Sequence, residues 1–149
     1  MTGMQADLKP TPTMSSAAPI RLQQFDTLTD ALEFAAQGDA GYTFYNLRGE
    51  VSEALPYRTL RDEAKALARK IAARFERGSR IAVVAETSPD FFRVFFACQY
   101  AGVIPAPIPL PVNLGGKEGY LTQVLLMARG AGASAAIGPR APALRSPWG

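Results

Sequence analysis

Apolar side chains recur at two spacings along this chain, and the spacings predict both helices and strands. The clearest helix carries an apolar stripe at intervals of three or four residues: Leu60, Ala64, Leu67, Ile71 and Phe75. Its other faces are rich in lysine and arginine. A basic face of this kind is typical of a solvated helix, since both residues are good helix formers. Nucleic-acid binding is the alternative interpretation, and we expect none.

An earlier helix and a hairpin are predicted ahead of this element. In "TLTDALEFAAQG", Thr27 can cap the helix, Asp30 is a partner like that of a capping box, and Gly38 suits its end. The segment "YTFYNLRGEVSEALPY" is rich in aromatic and β-branched residues and predicts two strands joined by a turn at Arg48-Gly49.

The second half of the chain alternates strands with helices. "SRIAVVAET" is typical of a buried parallel strand. "SPDFFRVFFACQYAG" predicts a helix with Ser88 as cap, Pro89 at its first position, Asp90 in its first turn and Gly102 at its end. An extended segment "VIPAPIPLP", a helix "GYLTQVLLMARG" and a short strand "ASAAIG" follow. This order predicts an α/β fold, with a mostly parallel sheet, crossover helices and a β-hairpin.

Four prolines at positions 105, 107, 109 and 111 are spaced two residues apart. A polyproline ligand would place prolines three apart, to match its three residues per turn. A period of two is strand geometry, and it puts every missing N–H on one edge of the strand. We therefore predict a strand at the margin of a sheet rather than a ligand for an adaptor domain.

The amino-acid composition excludes several kinds of catalytic and metal-binding site. The chain has 149 residues, with 48% hydrophobic and 19% charged, which is typical of a globular domain, and a net charge of +3. It has no histidine and one cysteine, so it contains no Ser-His-Asp triad, histidine metal ligand or internal disulfide. Cys98 lies in an apolar run and is interpreted as an inert core thiol. We expect a cytoplasmic protein without a membrane span.

Two glycine-rich motifs resemble phosphate loops but fail their requirements. In "LGGKEG", Lys117 is followed by glutamate, whereas a P-loop needs serine or threonine there. "GAGASA" follows a helix and precedes a strand, which is the reverse of the dinucleotide fingerprint, so Gly130 and Gly132 are predicted to end the helix. The residues themselves therefore nominate no catalytic, cofactor-binding or metal-binding side chain.

The order of segments resembles the start of adenylate-forming enzymes, the AMP-dependent synthetase/ligase or AMP-binding superfamily, and among them the fatty-acyl-AMP ligases. The resemblance is carried by "YTFYNLRGE", "LPYRTLRDEAKALARKIAARF", "GSRIAVVAETSPDFFRVFFACQYAGVIPAPIPLP" and "GAGASAAIGP". It covers residues 24–139, and 79–111 is its most specific part. It implies the incomplete first portion of the large N-terminal domain of such an enzyme, and the proline-rich run favours the fatty-acyl-AMP ligases over CoA ligases.

The resemblance also implies a function for the full-length protein. Members activate fatty acids with ATP and magnesium, form an acyl-adenylate and pass the acyl group to a carrier protein. The phosphate loop, the ribose-binding acid and the catalytic lysine of the family fall outside the matched part, so no family site residue is transferred to this chain. We expect the chain alone to be inactive and to bind no cofactor itself, with the remainder of the ligase or an acyl carrier protein as partner.

The predicted organisation has three parts. Residues 1–24 are a flexible N-terminal arm, 25–139 a partial AMP-binding domain, and 140–149 an irregular tail. A shifted reading frame and an ordinary disordered tail are both open interpretations of the last segment. Two other functions stay open: a non-enzymatic interaction module that docks on a ligase or carrier protein, and a stand-alone nucleotide-binding module.

Overall fold

The computed structural model describes residues 24–109 and 116–138. The predicted arm at 1–24, apart from its last residue, and the predicted tail at 140–149 lie outside the described residues, as do the first two residues of "LGGKEG" and the proline at 111. The elements, in chain order, are α1 Leu28–Ala35, β1 Gly41–Tyr45, β2 Val51–Pro56, α2 Tyr57–Ala72, β3 Arg80–Ala85, α3 Pro89–Ala101, β4 Ile104–Pro109, α4 Gly116–Gly130 and β5 Ala135–Ile137.

The predicted parallel sheet is confirmed. Its three strands lie in the order β4-β3-β5, and both neighbours run parallel to β3. Val83, in the middle of β3, lies beside Pro107 of β4 and Ile137 of β5. The chain reaches β4 through α3 and reaches β5 through α4, so each parallel pairing follows a helical crossover.

Two apolar layers cover the two faces of this sheet. Because side chains alternate along a strand, Ile81 and Val83 pack with α2 and α3, whereas Ala82 and Val84 pack with α4. All four residues are buried. The near-continuous apolar sequence of β3 is thus explained by its position at the centre of a sheet covered on both sides.

β4 lies at the edge of the sheet, as its prolines predict. The N–H of Ile104 donates to the carbonyl of Ser79 at 2.8 Å, which fixes which residues of β4 face β3. In a parallel ladder, the next N–H groups facing the same partner are two and four residues further on, at Ala106 and Ile108. The intervening prolines at 105, 107 and 109 therefore turn their nitrogens to the outer edge, where no N–H is available.

The hairpin is a separate two-stranded sheet joined to the helices through a third core. β1 and β2 pair antiparallel, and buried Leu32, Phe44, Leu55 and Leu60 join α1, the hairpin and α2. Tyr42 also stacks on Phe92 of α3, with ring centroids 4.3 Å apart. Aromatic contacts of this kind add to the burial of apolar area and fix the hairpin against α3.

The hairpin turn is built by a side chain as well as by glycine. The Asn46 side-chain oxygen accepts hydrogen bonds from the N–H groups of Arg48 and Glu50, at 2.8 and 3.0 Å. Gly49 has φ +77°, in the region that favours glycine. The predicted turn at Arg48-Gly49 is confirmed.

Most predicted helix ends are also confirmed. The Thr27 hydroxyl accepts from the N–H of Asp30, and the Ser88 hydroxyl accepts from the N–H of Phe91. Gly102 ends α3 with φ +72°. The prediction for Gly38 was wrong: α1 ends at Ala35, its C-cap Ala36 has right-handed backbone, and Gly38 is not among the glycines with positive φ. No helix within the described ranges is long and apolar enough to cross a membrane.

Candidate functional site

A cleft of about 200 Å³ opens where the carboxyl ends of β3 and β5 meet the start of α3. Its walls are mostly apolar and come from α2, α3 and the two strands: Leu67, Val83, Val84, Phe91, Val94 and Ile137. In open α/β sheets, ligands bind in the crevice beyond the carboxyl ends of the strands. This cleft is therefore the position in the described fold where a binding site is expected.

The start of α3 places three polar side chains at the rim of the cleft: Ser88, Asp90 and Arg93. The loop from β3 to α3 brings Ser88 to the N-cap, where its hydroxyl accepts from the N–H of Phe91 at 3.3 Å. Pro89 holds the first helical position, and Asp90 lies in the first turn, where the helix dipole favours a carboxylate.

Arg93 is the centre of the charge network beside the cleft. Its guanidinium contacts Glu53 at 2.6 Å, Glu63 at 2.6 Å and Asp90 at 3.0 Å. Burial opposes the charged form, but the hydrogen bonds to Glu63 and Glu53 outweigh it and raise the pKa of Arg93 above its ordinary value. The network therefore ties α3 to β2 and to α2.

A second network joins α1 to α2 and α3. The Tyr100 hydroxyl donates to Glu33 at 2.8 Å, and Lys65 forms an ion pair with the same carboxylate. Burial works to raise the pKa of Glu33, but the contacts with Lys65 and Tyr100 lower it overall. Burial and the bond to Glu33 raise the pKa of Tyr100. These groups fix the helices relative to one another and do not reach the cleft walls.

Cys98 is fully buried on the opposite side of α3 from solvent, and burial raises the pKa of its thiol to about 11. A thiol with so high a pKa is almost entirely protonated at neutral pH and is a poor nucleophile. The core position predicted for Cys98 is confirmed, and its inertness stays a prediction.

The cleft has mostly apolar walls, and its polar side chains contact other groups of the protein. Each rim side chain is already engaged: Ser88 in the helix cap, Asp90 and Arg93 with each other. Among residues 24–109 and 116–138, no group of three acidic, cysteine or histidine residues could hold a metal ion.

The sequence alone nominated no residue of this cleft. Ser88 and Asp90 had been assigned only to the helix cap, and Leu67, Phe91 and Val94 only to the apolar faces. The sequence did indicate where the cleft would lie, because a strand followed by a capped helix places the loop between them at the carboxyl edge of the sheet. Gly132 ends α4 with φ +63°, so the structure confirms its role as a helix stop between a helix and a strand.

Comparison with known proteins gives consistent matches. The family model described as AMP-binding enzyme matches residues 32–120, more than half of the chain. A putative acyl-CoA synthetase of Caulobacter vibrioides is 53% identical over 137 residues, which are 91% of this chain and 24% of that protein. A medium-chain-fatty-acid–[acyl-carrier-protein] ligase of Moorena producens is 30% identical over 71% of this chain and 19% of its own length. The chain thus spans about a quarter or less of the curated relatives it matches.

Solved structures match the fold as well. A chain from structural studies of fatty acyl-adenylate ligases from E. coli and L. pneumophila superposes with a TM-score of 0.70 and 34% identity, over 85% of this chain and 22% of that one. A fatty acid AMP ligase from Legionella pneumophila superposes with a TM-score of 0.65 at 22% identity, over 78% of this chain and 20% of its own. The described fold matches the N-terminal part of adenylate-forming enzymes.

Proposed function

Since the chain belongs to the AMP-binding enzyme family, we propose that it is the first portion of the large N-terminal domain of a fatty-acyl-AMP ligase. One observation carries the finer assignment: the superposition on a fatty acyl-adenylate ligase at 34% identity, over 85% of this chain. The curated relative from Moorena producens, a fatty-acid ligase, supports the same substrate class.

The proposed activity belongs to the full-length protein. A fatty-acid carboxylate attacks the α-phosphorus of magnesium-bound ATP, an acyl-adenylate forms and pyrophosphate leaves. Such a step requires charge stabilisation on the phosphates, and we propose that the donors for it lie outside the described part of this chain. The chain contributes scaffold and an apolar cleft, so the isolated chain is expected to be inactive. The proposed reactants, ATP and an acyl carrier protein, support a cytoplasmic location for the full-length protein.

The acceptor of the acyl group is the point on which the relatives differ. The Caulobacter protein is named a putative acyl-CoA synthetase, whereas the Moorena protein is named an acyl-carrier-protein ligase. We propose the carrier protein as acceptor, because the proline-rich run and the superposition both favour the fatty-acyl-AMP ligases.

A chimera tests the proposal directly. This chain replaces the matched segment of the Caulobacter protein, which is 53% identical and therefore offers a compatible remainder. ATP–pyrophosphate exchange is measured with fatty acids of several lengths, and acyl transfer is measured with CoA and with a phosphopantetheinylated carrier protein. The expected result is exchange that depends on fatty acid, with a larger share of transfer to the carrier than the intact Caulobacter protein gives.

The controls are the intact Caulobacter protein, as a positive reference, and the same protein without the segment, as a negative one. Exchange by this 149-residue chain alone would contradict its proposed inactivity. A folded chimera without exchange for any fatty acid would contradict the ligase assignment. The chimera and the intact Caulobacter protein share the same remainder, so a chimera that transfers more acyl group to CoA than the intact protein does would contradict the proposed acceptor.

A further inference from the structure

We propose that the amino edge of the parallel sheet is a docking surface for a membrane that contains anionic lipids. The surface is a basic patch of five exposed side chains: Arg69, Lys70, Arg74, Arg77 and Arg80. The choice of a lipid partner rests on the proposed function, because a fatty acid is a substrate that partitions into bilayers. The patch lies at the opposite edge of the sheet from the cleft.

The positive charge of the chain is concentrated in this one short segment. Residues 69–80 contain five cations and Glu76, a net charge of +4, whereas the whole chain has +3, so all other residues together are negative. None of the five side chains forms an ion pair or a hydrogen bond with another residue of the described ranges. Arg61, Lys65 and Arg93, by contrast, each pair with a carboxylate. The charges of the patch therefore face solvent uncompensated by the described protein.

The fold places these cations together at one edge. The connection from α2 to β3 lies at the amino end of β3, and the N–H of Gly78 donates to the carbonyl of Gly102 at 2.8 Å, which fixes the connection against the end of α3. The Arg77 guanidinium also lies at the end of α3, since a Cβ at Gly102 would be 2.9 Å from it. Arg80 reaches the end of α4, where a Cβ at Gly132 would be 3.2 Å from its Nη1. The patch therefore extends across the ends of three helices.

Helix dipoles account for only part of this positive charge. Helices α2, α3 and α4 each precede a parallel strand, so all three end at the amino edge, where cations stabilise helix C-termini. Each helix end is equivalent to about −0.5 charge, so the three together supply about −1.5. The net charge of +4 in residues 69–80 exceeds this amount. A surplus of positive charge therefore remains at the surface and favours an anionic partner.

The residues around the patch favour a lipid surface over a nucleic acid. Ile104 lies beside Arg80 in the register of β3 and β4, and its side chain is 48% exposed. An apolar side chain among cations suits a lipid interface, where the cations meet headgroup phosphates and the apolar group meets acyl chains. The exposed residues of 69–80 include no aromatic ring to stack on a base and no asparagine or glutamine to read one.

The position of the patch leaves the cleft accessible. Strand β3 has six residues, Arg80–Ala85, and at 3.3 Å per residue its two ends lie about 17 Å apart. The patch lies at the first end and the cleft at the second. A membrane on the patch would hold the enzyme beside its lipid-borne substrate while the cleft faces away from the bilayer.

The experiment measures co-sedimentation of the 149-residue chain with lipid vesicles, without ATP or fatty acid. One set of vesicles is pure phosphatidylcholine, and the other contains phosphatidylglycerol at about 30 mol% to give a negative surface potential. Binding to the anionic vesicles is expected to be about tenfold tighter or more. Raising sodium chloride from about 0.1 to 0.5 M should remove most of this difference, because the Debye length falls well below its value of about 10 Å.

Two double variants locate the binding surface. Each lysine or arginine near an anionic surface strengthens binding about fivefold, so Lys70→Gln with Arg74→Gln is expected to weaken vesicle binding about 25-fold. The matched control, Arg48→Gln with Arg58→Gln, removes two exposed charges from the hairpin turn and from the first turn of α2. The control should weaken binding less than about threefold, because its charges lie more than a Debye length from the patch. Circular dichroism checks that both double variants fold like the parent chain.

Several results would overturn the inference. Equal weakening by the two double variants would mean that binding follows net charge rather than the patch. Equal binding to both kinds of vesicle, or binding to neither, would remove the anionic lipid as partner. Tighter binding of a single-stranded RNA oligonucleotide than of anionic vesicles, lost in Lys70→Gln with Arg74→Gln, would make the patch a nucleic-acid surface.

The outcomes also separate this inference from the proposed function. Vesicle binding that depends on the patch, alongside a folded chimera without pyrophosphate exchange, would support the docking surface and refute the ligase assignment. An active chimera that binds anionic vesicles equally well with and without Lys70→Gln and Arg74→Gln would overturn the docking surface alone.

Discussion

Replacing Arg93 with methionine tests whether one guanidinium holds the hairpin, α2 and α3 together. Its three carboxylate partners come from three elements: Glu53 from β2, Glu63 from α2 and Asp90 from α3 itself. Methionine keeps an unbranched stem of similar length, so the apolar contacts of the side chain are largely preserved. The change therefore reports on the charge and its hydrogen bonds.

The expected loss follows from the exposure of the groups. The Arg93 side chain is 22% exposed, whereas the carboxylates are 40%, 45% and 74% exposed, so all three pairs are partly screened by water. Measured pairs of this kind contribute about 0.2–1 kcal/mol each. Loss of the cation also leaves Glu53, Glu63 and Asp90 close together without compensation. We expect Arg93→Met to lower the free energy of unfolding by about 1–2 kcal/mol.

Urea unfolding followed by far-ultraviolet circular dichroism measures the change, with Arg58→Met as the matched control. Arg58 is an exposed residue in the first turn of α2, and its replacement is expected to change stability by less than about 0.5 kcal/mol. Raising sodium chloride from about 0.05 to 0.5 M shortens the Debye length and should reduce the difference between the two variants. Equal losses for both variants, or a loss for Arg93→Met that salt does not change, would refute the reasoning.

The remaining predictions concern the backbone, a cap and the buried thiol. Gly102→Ala forces φ +72° on a residue with a side chain and brings its Cβ within 2.9 Å of the Arg77 guanidinium. This variant should lower the free energy of unfolding by about 1–2 kcal/mol. In the control Gly130→Ala, the added Cβ meets no atom within 4 Å and should not destabilise the protein. Ser88→Ala removes the α3 cap and should cost about 1 kcal/mol in the same urea assay. Burial raises the pKa of the Cys98 thiol from 9.0 to about 11, so its contribution to stability is full below pH 9 and is lost towards pH 11. The urea midpoint of Cys98→Ala should therefore lack that decline at alkaline pH. A thiol reagent at pH 8 should leave Cys98 of the native protein unmodified, and rapid modification would contradict its burial.

Local patterns were enough to predict most of the fold. The hydroxyls of Thr27 and Ser88 and the left-handed Gly102 act within one turn of their own helices, so their roles can be inferred from neighbouring residues. The spacing of the prolines predicted an edge strand, because backbone parity along a strand does not depend on the rest of the fold. Gly38 was the exception, since helix α1 ends at Ala35 and its C-cap, Ala36, has ordinary right-handed backbone.

The cleft and the charge networks could not be predicted in the same way. Arg93 meets Glu63 and Glu53 across 30 and 40 residues of sequence, and Tyr100 meets Glu33 across 67. The sequence alone does not indicate which charged residues on separate elements form pairs, because the pairing depends on how those elements pack. The cleft likewise depends on Leu67, Val94 and Ile137 arriving from three elements, each of which has an apolar pattern suited equally to an ordinary core.

The row of prolines in β4 also bears on how a full-length relative is made. The 137 matched residues are 24% of the Caulobacter protein, so roughly 430 residues follow this N-terminal part, and synthesis at 5–20 residues per second takes on the order of a minute. Throughout that time the nascent sheet has an edge to protect from other nascent chains. The prolines leave the outer side of β4 without N–H donors from the moment the strand forms, so this edge is protected from pairing with other nascent chains.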